Sequence, residues 1–184
     1  MANIEPTTVN LKNNREITLQ SPQPAEAELL LSHLKKLMHH SYRNMNHPKS
    51  YWDNFSVEEE AKILTDVKES NQKFMISAFD ENRIVGNLGI FGFGEEFLKH
   101  NARLVMGISP DYHNLGLGTA LMSYALKSAR TLGFKRIELT VRTFNTPAIS
   151  LYEKAGFRRI GILKETAFID GEFLDEYMYE ILLG

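Results

Sequence analysis

One stretch of this chain could hold an anion. His113-Asn114-Leu115-Gly116-Leu117-Gly118-Thr119-Ala120 stands between two regular patterns. Before it, Arg103 to Ser109 (RLVMGIS) is β-prone and is closed by Pro110. After it, Leu117, Ala120, Leu121, Tyr124, Ala125 and Leu132 recur at helical spacing. A strand, a glycine-bearing turn and a helix start make an anion site. The first N–H groups of a helix have no internal partner, and the helix dipole adds positive potential there. Gly116 and Gly118 put no side chain between those amides and a bound phosphate. The chemistry to expect is recognition of a phosphate-bearing cofactor.

Three phosphate motifs compete. A nucleotide P-loop carries Lys and then Ser or Thr after its last glycine, whereas Gly118 is followed by Thr119-Ala120. A dinucleotide fingerprint needs a small residue three positions after its second glycine, where this chain has Leu121. The third pattern, [Gln/Arg]-x-x-Gly-x-[Gly/Ala], is the pyrophosphate loop of acetyl-CoA-dependent N-acetyltransferases. His113-x-x-Gly116-x-Gly118 fits it with a substituted first position. Further on, Arg136 to Arg142 (RIELTVR) reads as a strand and Thr143-Phe144-Asn145-Thr146-Pro147 as a break. Ala148 to Phe157 (AISLYEKAGF) then reads as a short helix, with Pro147 in its first turn and Gly156 at its C-terminal cap. Strand, Asn, a helix carrying Leu-Tyr-Glu-Lys, then Gly-Phe, following the glycine loop, resembles the GNAT acetyltransferase superfamily. The resemblance is good over residues 74–183 and looser before them. The tail from Ile169 to Met178 is similar to that of the bacterial ribosomal-protein, polyamine and small-amine N-acetyltransferases.

The resemblance implies a fold and a set of roles. The fold is α/β: a single GNAT acyl-CoA N-acyltransferase domain over 1–184, with residues 1–8 as a loose arm. Its twisted sheet is mixed and mostly antiparallel, its central strands splay apart, helices flank it, and acetyl-CoA enters the cleft. The backbone of Met106, Gly107 and Ile108 would pair with the pantetheine arm, and an N–H near Ile108 would polarise the thioester carbonyl. Amides from His113 and Asn114 through Leu115, Gly116, Leu117, Gly118 and Thr119 would hold the pyrophosphate. The ring of His113 would stand beside the phosphates, or is simply an exposed loop histidine. Tyr152 would protonate the departing CoA thiolate, although periodicity alone favours a helix residue packed with Ile149 and Leu151. Asn145 would contact the cofactor arm, cap the next helix, or both. One ribosomal-protein subgroup carries a Glu where this chain has Thr140. The nearest carboxylate on the same strand face is Glu138, the leading candidate for the base, with His100, Glu165, Asp170 or a water chain as alternatives. The acceptor side would be built from residues 39–55 and from Phe168 to Phe173. The reaction implied is transfer of acetyl from acetyl-CoA to a primary amine of a small molecule or a peptide N-terminus, by direct attack in a ternary complex. Exposed edge strands in such folds also give a route to a homodimer.

Composition narrows the classes. A chain of 184 residues is one domain by length and can bury a real core. A net charge of −2 gives no electrostatic case for nucleic acid. With no cysteine there is no disulfide frame, thiolate zinc site or cysteine nucleophile. His39, His40 and His47 lack the spacing of metal ligands, so no metal is expected. No apolar run has the length of a membrane span and the N-terminus has no signal-peptide layout, so a cytoplasmic location is expected. Hydrophobic patterning predicts the order β-β-α-α-β-β-β-α-β-α-β-β. It starts with a hairpin around Asn13-Asn14, includes a helix opened by the Ser56…Glu59 capping box, and leaves 41–55 aperiodic. The last two strands are expected at Phe157 to Leu163 and Glu176 to Leu183. Two other readings stay open: an acyl-CoA-binding module of the same fold without turnover, and a nucleotide-binding protein that shares only the glycine turn.

Overall fold

The computed structural model of the chain describes residues 4–184. A hairpin of β1 (Thr7–Asn10) and β2 (Glu16–Gln20) leads into α1 (Ala27–Ser41), a short α2 (Lys49–Asn54) and α3 (Val57–Glu69). Then follow β3 (Lys73–Asp80), β4 (Arg83–Gly92), β5 (Asn101–Ile108), α4 (Leu117–Thr131), β6 (Arg136–Arg142), α5 (Thr146–Lys154), β7 (Arg158–Ile169) and β8 (Glu172–Leu182). The eight strands form one sheet in the order β1-β2-β3-β4-β5-β6-β8-β7. Every pairing is antiparallel except β5 with β6.

The two faces of the sheet follow from the period-two alternation of β3. Phe74, Ile76 and Ala78 point into the larger core with Leu117, Leu121, Ala125 and Tyr152 from α4 and α5. Met75 points the other way, into a smaller core with Leu30 of α1 and Leu64 and Val67 of α3. The Ser56 hydroxyl accepts from Glu59 N–H and the Glu59 carboxylate accepts from Ser56 N–H, so the expected capping box starts α3. Helix α1 lies so close to β5 that a Cβ on Gly107 would stand 2.4 Å from Leu37 Cδ1. A side chain at 107 would therefore push Leu37 of α1 aside.

Three expectations need correction. The N-terminal arm is shorter than residues 1–8: Thr7 and Thr8 pair with Leu19 and Thr18, Ile4 is buried, and the Tyr124 hydroxyl donates to the Glu5 carbonyl. Residues 1–3 lie outside the described residues. The aperiodic stretch 41–55 holds a 3₁₀ turn at Tyr42–Asn44 and the short α2, packed through the rings of His47, Tyr51, Trp52 and Phe55. The last two strands run longer than expected because they form a hairpin. Its turn, Asp170-Gly171, has φ of 54° and 81°, the two positive values that a tight two-residue turn requires.

Glu60 lies on the same helical face as Leu64 and Val67 and is only 3 % exposed. Burial raises its pKa from the ordinary 4.5 to about 7. A carboxyl whose pKa is higher folded than unfolded contributes its full stability below the unfolded value, and that stability is lost as pH rises through the folded one. Glu60→Gln should therefore raise the thermal midpoint at pH 8 and flatten the fall in stability between about pH 4.5 and 7. Thermal melts across that range check this; an unchanged pH profile would contradict it.

Candidate active site

The site begins where two strands part. β5 and β6 pair only over Asn101–Arg103 with Arg136–Glu138. Beyond Arg103 the ladder stops and the strands diverge. The hydrogen-bond parity of β5 says what this exposes. Ser109 N–H donates to Val85 and Phe93 N–H donates to Asn101, so odd-numbered β5 residues bond toward β4. Gly107 is thus committed to Asn87. Met106 and Ile108 turn their N–H and C=O groups toward β6, which is no longer there. The expected trio at 106–108 is therefore corrected to a pair, since Gly107 has no backbone group left for a ligand.

At the end of β5 the chain turns through a 3₁₀ turn, Pro110–Tyr112, into the glycine loop. Gly116 is the N-cap of α4 with φ of 93°, and Asn114 also has positive φ (60°). The first helical bond is Ala120 N–H to Gly116 C=O, which leaves the amides of Leu117, Gly118 and Thr119 without helical partners. The Leu117 side chain is fully buried, so it can meet a ligand only through its N–H. The outer side of the loop is tied down by Lys12 N–H donating to Leu115 C=O (3.1 Å). His113 Nε2 donates to the Ile108 carbonyl (2.9 Å), which braces the loop against the open edge of β5.

Across the cleft stands α5. Asn145 caps it, its side chain accepting from Ala148 N–H (3.3 Å). Leu151 reaches back to the loop, where a Cβ on Gly118 would meet it at 3.0 Å. Tyr152 is 6 % exposed and packs beside Phe157. Burial raises its phenol from 10.0 to about 12, so it carries its proton at neutral pH.

The opposite face holds a cavity of about 740 Å³ between the α1–α2 connection and the β7–β8 hairpin. Two contacts tie its walls together: Tyr42 Oη donates to Asp170 (2.6 Å) and Arg43 Nη2 to Glu172 (2.5 Å). Arg142, 4 % exposed, sits at its floor and pairs with Glu176 (2.9 Å). Glu138 belongs to neither the cleft mouth nor this cavity. It lies at the last paired position of β6, held by Arg103 (3.0 Å) and Arg136 (2.9 Å). Both of its oxygens are taken, one by each guanidinium, at the end of the cleft where the strands are still joined. Glu138 is a clamp at the closed end of the cleft, and its expected role as base is withdrawn.

The family model for the acetyltransferase (GNAT) family matches residues 33–157. The chain belongs to the GNAT family. An N-alpha-acetyltransferase from Sulfolobus acidocaldarius is 33% identical over 121 residues, 61% of this chain and 70% of its own length. A mycothiol acetyltransferase from Geodermatophilus obscurus is 47% identical over 55 residues, which are 30% of this chain and only 18% of that enzyme. Among solved structures, a GNAT-family acetyltransferase from Streptococcus pneumoniae superposes with a TM-score of 0.85 at 27% identity, over 91% of this chain and 99% of that one.

Within this GNAT frame the glycine loop continues the free edge of β5, α5 with Tyr152 packs against that loop through Leu151, and the two segments expected on the acceptor side meet. Residues 39–49 and 166–170 supply most of the cavity wall. Sequence reasoning missed Arg142 as a wall residue, although its place on the polar face of β6, in step with Glu138, was a signal. It also missed His33 on α1, buried over Gly107 with its Nδ1 sharing a 3.2 Å hydrogen bond with Ser109 Oγ. Burial lowers His33 to about 4, so it is neutral. Among the described residues no group of three His, Asp or Glu side chains could hold a metal, and no helix is long and apolar enough to cross a membrane.

A side chain at Gly116 would be held in the left-handed region, at a cost of about 1–2 kcal/mol. Gly116→Ala should weaken acetyl-CoA binding by about fivefold or more. Gly133→Ala, equally strained (φ 87°) but beyond the far end of α4, should lower thermal stability and leave that affinity alone. Calorimetric titration of both variants is the check, and equal affinities would contradict the role given to the loop.

Proposed function

We propose that this protein transfers the acetyl group of acetyl-CoA directly to a primary amine bound in the cavity on the α1 side. The observation that carries the reading is the unpaired edge of β5 running into uncapped amides at the start of α4, one continuous row of backbone groups suited to pantetheine and pyrophosphate. The amides of Asn114 to Thr119 take the pyrophosphate. The pantetheine arm runs down the cleft from there, pairing with Ile108. The thioester lies deeper, so the N–H nearest its carbonyl is that of Met106, one step beyond the position expected from sequence. That N–H stabilises the negative charge that builds on the oxygen during attack.

The neutral amine attacks the thioester carbon, the N–C bond forms and the C–S bond breaks. The thiolate takes the phenolic proton of Tyr152. The proton lost by the nitrogen passes to water and so to solvent, from which Tyr152 is restored. A phenol at about 12 suits the donor role and not the base role. With Glu138 clamped, no carboxylate is needed as base if the amine enters as its free base.

The Tyr152 hydroxyl has no hydrogen bond in the structure, so Tyr152→Phe removes only the donor. That variant should lose about tenfold or more in kcat and keep its affinity for acetyl-CoA. In the parent enzyme kcat/KM should rise with pH as the acceptor ammonium deprotonates, with no descending limb below about pH 10. Near-normal turnover of Tyr152→Phe, with thiol release as the readout, would remove the assignment. Acetyl-CoA uptake without thiol release over a broad amine panel would favour the non-catalytic binding module instead.

A further inference from the structure

Resting on the acetyl-transfer reading above, we propose that the acceptor is a small amine that also bears a carboxylate, and that the Arg142–Asn46 corner with Lys49 receives that carboxylate.

Three observations converge on this. The first is position. The offset between β5 and β6 sets Ala102 against Ile137 and Arg103 against Glu138. Carried past the point of divergence, it sets Arg142 level with Gly107, between the two cleft-facing residues Met106 and Ile108. Arg142 shares the α1-side face with Glu138, because the alternate residues Ile137, Leu139 and Val141 point into the core with α4 and α5. A group held at Arg142 therefore lies across the cleft from the thioester, about the reach of a small molecule.

The second is the donor inventory. Arg142 donates from Nε to the Arg43 carbonyl (3.3 Å), from Nη1 to Thr166 Oγ1 (3.0 Å) and from Nη2 to Asn46 Oδ1 (3.3 Å), and its Nη1 forms an ion pair with Glu176 (2.9 Å). A guanidinium has five N–H groups, so at least the second one on Nη2 is left over. Because Asn46 accepts through its oxygen, its amide NH₂ is also left to donate. Lys49 lines the same cavity and has no carboxylate within ion-pair distance among the described residues. Among the described residues the one carboxylate in the cavity wall, Asp170, already accepts from Tyr42. A wall with spare donors and a spare cation, and its carboxylate engaged, suits an anionic group and repels a polycation.

The third is bridging. The Tyr42–Asp170 and Arg43–Glu172 contacts span the two segments that form the cavity and cross its outer side at two points. A peptide chain leaving that way would have to break both, whereas a molecule of amino-acid size would not.

The experiment compares kcat/KM for matched acceptors: leucine and methionine, their amides, the corresponding amines without the carboxyl group, short peptides and spermidine. Acetyl-CoA binding is measured separately by calorimetry. The free acids should exceed their amides by about tenfold or more, the size of a charge-assisted hydrogen bond. Lys49→Gln and Arg142→Gln should each narrow that ratio; a ratio needs only some folded enzyme, and Lys49→Gln reads the effect alone if Arg142→Gln does not fold. Amides matching the acids, a preference for peptides or spermidine, or a ratio unmoved in both variants would overturn the proposal. So would no turnover on any acceptor by protein that still binds acetyl-CoA, which leaves only the cofactor half of the earlier reading standing. Absence of acetyl-CoA binding would remove that reading itself, and this proposal with it.

Discussion

Everything at this site depends on β5 leaving β6 after three paired residues. A strand in mid-sheet satisfies its backbone on both sides; β5 does so only toward β4 once past Arg103. Leaving a buried N–H without a partner costs about 1–3 kcal/mol, so a row of them persists only where water or a ligand can reach. The open edge is a defect for packing and, in the function proposed, the binding strip. The apex of the opening is held by charge: Arg103 on one strand and Arg136 on the other both bind Glu138, and Arg136 and Arg158 bind Glu180 on β8. These pairs cross from β5 to β6 to β8 to β7 at the level where the sheet is still closed.

The parted strands also separate the tasks by face. The helices α4 and α5 bring the uncapped amides and the neutral phenol from one side. Helix α1 and the β7–β8 hairpin bring the cavity from the other. Close packing keeps the geometry fixed on both sides. Leu37 of α1 sits against Gly107, and Leu151 of α5 against Gly118, so each helix rests on a glycine next to the cleft. His113 fastens the loop to the last residue of β5 through the Ile108 carbonyl. The loop and the strip are one mechanical unit.

Much of this was legible in the sequence because it is local. The glycine pair, Pro147, Gly156 and the Ser56…Glu59 box act within a turn or two of their own positions, and the elements they start or stop are where the patterning put them. What was not legible is tertiary. Glu138 reads as a free carboxylate on a strand until the register brings Arg103 alongside it. Gly107 reads as part of a ligand strip until parity turns its backbone to β4 and Leu37 of α1 packs against it. Arg142 reads as the polar end of a strand until Asn46, Thr166 and Glu176, distant in sequence, gather around it. The early end assigned to β7 was a missed local signal, since Asp170-Gly171 is a hairpin turn by residue type alone.

The most direct test of the open-edge account is amide hydrogen exchange along β5, read by NMR with and without coenzyme A. Val105 and Gly107 are already bonded to β4 and should be protected in both states. Met106 and Ile108 should exchange readily in the free protein and become protected when the coenzyme binds. If coenzyme A binds and leaves Met106 and Ile108 exchanging as before, or if those two amides are protected without it, the open edge is not the binding strip and the account fails.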